Sequence, residues 1–160
     1  MKKFILFLSL SVINSVFSQK VSLNELVLLS KMNNDEFDTF CIKKGYDIHL
    51  IENDDYSENI TYIFKKNEMN FSTNYISKFN YKTKNKIMVS YQTTSPNYIS
   101  IKNEIKSNGF IFIENKLIDE TYYLEYKKNN LELSLASFKT KNKDNIEITQ
   151  YEISLTLLKD

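Results

Sequence analysis

The sequence predicts an α+β fold built as two tandem repeats. Each repeat is a helical segment, a helix-turn-helix in the first, followed by a four-stranded antiparallel meander. A signal peptide precedes them. Three observations lead there. Hydrophobic periodicity switches from helical to alternating after each of the chain's two glycines, Gly45 and Gly109. Four short sequence matches recur in the same order along the chain. The first 18 residues have the grammar of an export leader.

The leader comes first. Lys2 and Lys3 precede the apolar run Phe4 to Leu10, which continues through Val12, Ile13, Val16 and Phe17. Val16 and Ser18 are small enough for the positions three and one before a cleavage site, so cleavage is expected between Ser18 and Gln19. Ser9, Ser11, Asn14 and Ser15 interrupt the run, whereas a membrane span needs about 20 apolar residues. Position 19 is Gln and not Cys, so no lipid anchor is expected. Removing 18 residues leaves 142, with 19 Lys against 20 acids. A chain of this length buries about two-thirds of its surface and needs no staple.

The first helix is expected from Leu23, Leu26, Val27 and Ser30, with Ser22 as N-cap and Glu25 completing a capping box. Met32, Asn33 and Asn34 break it. Asn34 is then expected to cap a second helix carrying Phe37, Phe40, Cys41 and Lys44 on one stripe. Gly45 ends that helix. Strands follow near 46–52, 59–66, 69–81 and 86–94. In the second repeat, Pro96 and Asn97 precede a shorter helix with Tyr98, Ile101 and Ile105 on its apolar stripe, ended by Gly109. Strands follow near 110–115, 120–127, 130–138 and 146–158. A parity slip between Ile148 and Tyr151 predicts a β-bulge near Gln150. Turns are expected at Asp54-Asp55, Asn67-Glu68, Asn129-Asn130 and the two KTKNK segments. The organisation is therefore signal peptide 1–18, first repeat 19–95 and second repeat 96–160, the repeats forming one compact unit.

The repeats are read from KKGY at 43–46 against SNGF at 107–110, and IFKKN at 63–67 against EYKKN at 125–129. KTKNK at 82–86 recurs at 139–143, and Tyr91-Gln92 answers Tyr151-Glu152. The offsets of 64, 62, 57 and 60 residues drift as loop insertions would make them drift.

Composition removes whole classes of function. With one His and one Cys, a Cys/His zinc site cannot be built. Two glycines leave no phosphate-cradling loop and no nucleophile elbow. The chain has no Arg, and its 21 Lys nearly balance 20 acids, which argues against nucleic-acid binding. No cofactor and no metal site are expected. Cys41, unpaired and on an apolar stripe, reads as a small buried hydrophobe, the other reading being a reactive thiol.

This pattern of elements resembles the β-lactamase-inhibitor-protein-like architecture of exported bacterial proteins, in which tandem helix-turn-helix plus sheet repeats form a concave protein-binding face. One unit is similar to the small outer-membrane-assembly lipoproteins. The opening SLNELVLLSKMNNDEFDTFCIKKGY also resembles the start of uncharacterised exported proteins of Gram-negative bacteria. The resemblance covers 22–158 as a pattern of elements and carries no functional residue. It implies only that an open sheet surface is the one that binds.

Two sets of side chains are candidate binding residues. Lys82, Lys84, Lys86, Lys139, Lys141 and Lys143 put cationic side chains on two hairpin turns. They read either as a pair of fingers for an acidic partner, polysaccharide or lipid headgroup, or as solvated turns that discourage edge pairing. Tyr62, Tyr91, Tyr122, Tyr123, Tyr126 and Tyr151 fall on predicted strands. They read either as exposed anchors or as half-buried strand residues. Tyr122 and Tyr123 are adjacent, so their rings must take opposite faces. The acidic loop 52–59 lacks the ligand spacing and turn glycine of a calcium loop. His49, two residues from Asp47, is read as a solvent-facing strand residue. The sequons at Asn59 and Asn70 matter only in a eukaryotic source, which the leader does not suggest.

The expected function is an exported, non-enzymatic binding module, periplasmic or secreted, that engages another protein through an open sheet face. The alternatives are a carboxylate-based envelope hydrolase acting on polysaccharide and a carrier of an apolar ligand.

Overall fold

The computed structural model describes residues 20–64, 74–142 and 144–159. The leader 1–18, the turn at Asn67-Glu68, the sequon at Asn70 and Lys143 lie outside them. The fold is α+β. Among the described residues it has helices α1 (Leu23–Leu29), α2 (Asn34–Lys43) and α3 (Ser95–Ser107), and one eight-stranded antiparallel sheet. The strands are β1 (Asp47–Asn53), β2 (Ser57–Phe64), β3 (Asn74–Tyr81), β4 (Lys86–Thr93), β5 (Ile111–Ile118), β6 (Thr121–Lys128), β7 (Leu131–Lys141) and β8 (Glu147–Leu158). No helix among the described residues is long and apolar enough to cross a membrane.

Local chemistry sets the helix ends. Ser22 caps α1 by accepting from the Glu25 amide at 3.2 Å, and Glu25 accepts from the Ser22 amide at 2.8 Å. Asn33, one residue earlier than expected, caps α2 through the same reciprocal box with Glu36. The helix expected after Pro96-Asn97 starts at Ser95 and, at 13 residues, is the longest of the three. Pro96 sits in its first turn, where no amide is needed for the helix ladder.

Both glycines close a helix in the same way. Gly45 (φ 84°) donates to the Ile42 carbonyl while Tyr46 donates to the Cys41 carbonyl. Gly109 (φ 77°) donates to Lys106 while Phe110 donates to Ile105. These are Schellman motifs, and the left-handed residue they require is why glycine stands there. The aromatic that follows each glycine turns into the core, where Tyr46 and Phe110 are both buried.

Strand order is β1-β2-β3-β4-β8-β7-β6-β5. Two meanders therefore meet through their last strands, β4 and β8. Pairing between β7 and β8 runs without a break from Leu131–Leu157 to Lys141–Glu147, so the bulge expected near Gln150 is absent. No bulge is needed: Ile148 faces one side of the long hairpin, opposite Thr140, and Tyr151 faces the other. Bulges occur instead in the two edge strands, at His49 in β1 and Ile113 in β5. Strand β5 runs past its expected end to Ile118, where Asp119 (φ 46°) and Glu120 (φ 63°) make a tight turn with two left-handed residues.

All three helices lie on one face of the sheet. The core forms between them and the alternate strand residues on that side, including Tyr62, Ile76, Val89, Leu133, Leu135 and Leu155. Lys78 projects into this layer. Its Nζ donates to the Met32 carbonyl and lies 5.6 Å from the Phe37 ring centre, and burial holds its pKa below the usual lysine value.

Candidate functional site: the open sheet face

Side chains alternate across a strand, so the residues between the core positions line the opposite face. No helix among the described residues covers it. Strand register aligns its small residues into one row running across the sheet: Thr61, Ser77, Ser90, Ser154 and Ser134, then Glu125. Each serine sits between two residues that point into the helix layer, as Ser134 does between Leu133 and Leu135. A second row runs beside it: Tyr75, Gln92, Glu152, Ala136, Tyr123 and Lys116.

Glu152 organises the centre. Its carboxylate accepts from Tyr75 Oη at 2.8 Å, Ser90 Oγ at 2.7 Å and Ser154 Oγ at 3.2 Å. Burial, then the Glu152 charge, raises the Tyr75 hydroxyl above the ordinary tyrosine range, which keeps it a donor. Thr61 and Ser77 share a hydrogen bond at 2.9 Å, and Ser134 donates to Glu125 at 3.0 Å. Lys116 pairs with Glu125 at 3.2 Å and lies 5.8 Å from the Tyr123 ring centre. The result is a low, hydroxyl-lined floor. Half-buried aromatics rise beside it: Tyr75, Phe79 and Tyr81 from β3, Tyr123 from β6 and Phe138 from β7. Phe79 and Tyr81 stack at 6.2 Å.

Of the six tyrosines singled out in the sequence, only Tyr123 lies on this face. Tyr62 and Tyr91 are buried under the helices. The Tyr62 hydroxyl donates to Asp38, and Tyr91 Oη accepts from Asn97 at 3.0 Å. Tyr126 and Tyr151 also take the helix side, against Phe112 and Tyr98. Tyr122 is on the helix side too, is 40% exposed and accepts from Asn115 Nδ2 at 3.1 Å. The sequence pattern did not single out Tyr75, Phe79, Tyr81, Phe138 or the serine row. The signal that would have found the row is the serine set between two core-facing residues in four separate strands.

The two KTKNK segments lie at opposite ends of the sheet, because β4 starts opposite the end of β8. They do not form a pair of fingers. Lys82 donates to Asn53 Oδ1 at 2.6 Å and to the Asp54 carbonyl, tying its turn to the β1–β2 loop. Lys86 lies over the Tyr81 ring, Lys139 pairs with Glu147 at 2.7 Å, and Lys84 and Lys141 are exposed.

In the acidic loop, Asp54 accepts from the amides of Ser57 and Tyr56 at 2.6 and 2.7 Å, and these bonds hold its carboxyl below the usual value of 3.8. Asp47 and His49 are both exposed on β1. Cys41 is fully buried, and burial, then Asp38, pushes its thiol up to about 12. That keeps it protonated and unreactive at neutral pH. A groove of about 380 Å³ runs along α2, lined by Met32, Asp35, Glu36, Thr39, Phe40 and Lys43, on the helix side of the molecule. Among the described residues, no group of three or more His, Cys, Asp or Glu is placed to hold a metal ion. Compared with protein-family models, with curated proteins and with solved structures, the chain matches none.

Proposed function

We propose that this chain is an exported, non-enzymatic binding module that engages another protein through the open sheet face. The observation that carries the reading is the hydroxyl floor flanked by aromatics. Small side chains let a partner approach the sheet closely, and half-buried rings offer large contact area at low entropic cost. The floor crosses the β4–β8 junction, so both meanders contribute to one surface. Export rests on the leader sequence, which would deliver the protein to the periplasm or beyond.

The proposal includes descent of the two halves, 19–95 and 96–160, from one helix-plus-meander unit. Several features support it. Both glycines occupy the same position of a Schellman motif, each followed by a buried aromatic. Each edge-strand bulge falls four residues after its glycine, at His49 and Ile113. Gln92 and Glu152, equivalent by the 60-residue offset of the tyrosine match, lie directly opposite one another across β4–β8. A two-fold relation between the halves would put its axis there. Such a surface is also what the resemblance to β-lactamase-inhibitor-like proteins leads one to expect.

The test is capture from envelope and culture-medium fractions with the tagged protein and two variants. Ser134→Arg fills the floor, and Leu28→Lys alters the exposed outer side of α1. The expected result is one stoichiometric partner protein held by the parent and by Leu28→Lys, and lost with Ser134→Arg at unchanged melting temperature. A partner retained by Ser134→Arg would overturn the assignment of the face.

A further inference from the structure

Strand β5 is an edge of the sheet, and its side chains are those of an interface. Ile111, Phe112, Ile113, Leu117 and Ile118 are all largely exposed, Ile111 and Leu117 at 71%. Sheet edges in soluble proteins are ordinarily protected by charge, proline, brevity or a bulge, and the bulge of β5 sits at Ile113, to one side of its charged centre. This edge is eight residues long and carries two charges, Glu114 and Lys116, on either side of Asn115. The order apolar, Glu, Asn, Lys, apolar reads as its own complement when the strand is reversed.

We infer that two copies of this chain pair edge to edge through antiparallel β5 strands, about a two-fold axis at Asn115. In that register Glu114 of each copy lies opposite Lys116 of the other, and the regular pairing ends where the bulge at Ile113 meets Leu117 of the other copy. Asn115 meets its own copy, and a carboxamide can do this because it both donates and accepts. Glu114 and Lys116 share the open face, since they pair with Glu125 and Tyr123 of β6. Glu114 stands opposite the like-charged Glu125 within its own chain, with Lys116 shared between them at 3.9 and 3.2 Å. A second lysine from the other copy relieves that crowding. Each main chain gains the hydrogen bonds its free edge lacks, and the interface is isologous, so association stops at two. The other edge, β1, differs. It carries Asp47 and Glu52 and no lysine, so it offers no such self-complement.

The experiment is sedimentation equilibrium of the full chain, expressed with its leader and purified after export, with charge variants at the two positions. The parent is expected to be a dimer. Glu114→Lys and Lys116→Glu each place like charges opposite one another twice across the axis, and each should weaken dimerisation by about ten-fold or more. The double variant E114K/K116E should dimerise again. Its E114K change also sets a cation opposite Glu125 within the chain. Mixing the two single variants should give a heterodimer, because Lys faces Glu at both sites. A variant that had failed to fold could not be restored by mixing. Leu117→Lys, at a position already exposed, should give a folded monomer whose cooperative melting no longer depends on protein concentration. A parent that stays monomeric at all soluble concentrations would overturn the inference. So would open polymers, or a dimer indifferent to the charge variants.

Discussion

The two faces of the sheet are made by the same eight strands, yet they are held together by different forces. On the helix side, alternate residues such as Ile76, Val89, Leu133 and Leu155 are closed off by apolar packing, and the polar groups that enter are matched one by one. Tyr62 meets Asp38, Tyr91 meets Asn97, and Lys78 meets the Met32 carbonyl. On the other side the strands present serines, and Glu152 gathers three hydroxyls around a carboxylate. Packing makes the first face; hydrogen bonding at the surface makes the second. The comparison teaches that a tyrosine on a strand has no fixed role here, since Tyr122 and Tyr123 differ in environment only through the pleat.

Three measurements would break or sharpen this contrast. The largest effect belongs to the covered face. Tyr62→Ala should cost about 3–5 kcal/mol in urea unfolding, through the cavity beside Phe37. Tyr123→Ala, on the open face, should cost less than about 1 kcal/mol. Equal costs would mean that the open face is packed like the covered one.

An intermediate effect is expected at the centre of the open face. Glu152→Gln replaces one acceptor oxygen with a donor facing a hydroxyl, and should lower stability by about 1–2 kcal/mol. Thermal melting of the two proteins side by side would show it, and no change would mean that the serine network is ornamental.

The smallest effect lies at the periphery of both faces. The Asp54 carboxyl is held below its ordinary value by two amides. Its folded-state pKa is depressed, so its stabilisation is present above the unfolded value and lost as pH falls through the folded value. Asp54→Asn should therefore flatten the acid limb of melting temperature against pH. An unchanged acid limb would show that the loop holds without the charge.

Much of the fold was legible because its signals are local. Gly45 and Gly109 mark both helix-to-strand transitions, Ser22 and Glu25 announce a capping box, and alternation in Leu131, Leu133 and Leu135 marks a strand. What misled was also local. Pro96 read as a residue before a helix although it sits in the first turn, and the Ile148–Tyr151 spacing read as a slip although the two residues face opposite sides. The candidate face was harder, because a row of serines on separate strands exists only once register is set. Ser77, Ser90, Ser134 and Ser154 are spread over nearly 80 residues, and which of the tyrosines lies under a helix depends on where the helices cross the sheet.

The position of β8 has a consequence for how the molecule comes into being. The last strand of the chain is not at the margin of the sheet but in its middle, between β4 and β7. Until it arrives, the first meander ends in a bare β4 and the second in a bare β7, each with half of its ladder unmade. Its partners in β4 lie about 60 residues back along the chain, a long loop to close before any contact rewards it. β8, twelve residues long, is thus the keystone of the sheet: it is the one strand through which the two meanders pair, and without it neither β4 nor β7 has a neighbour on that side.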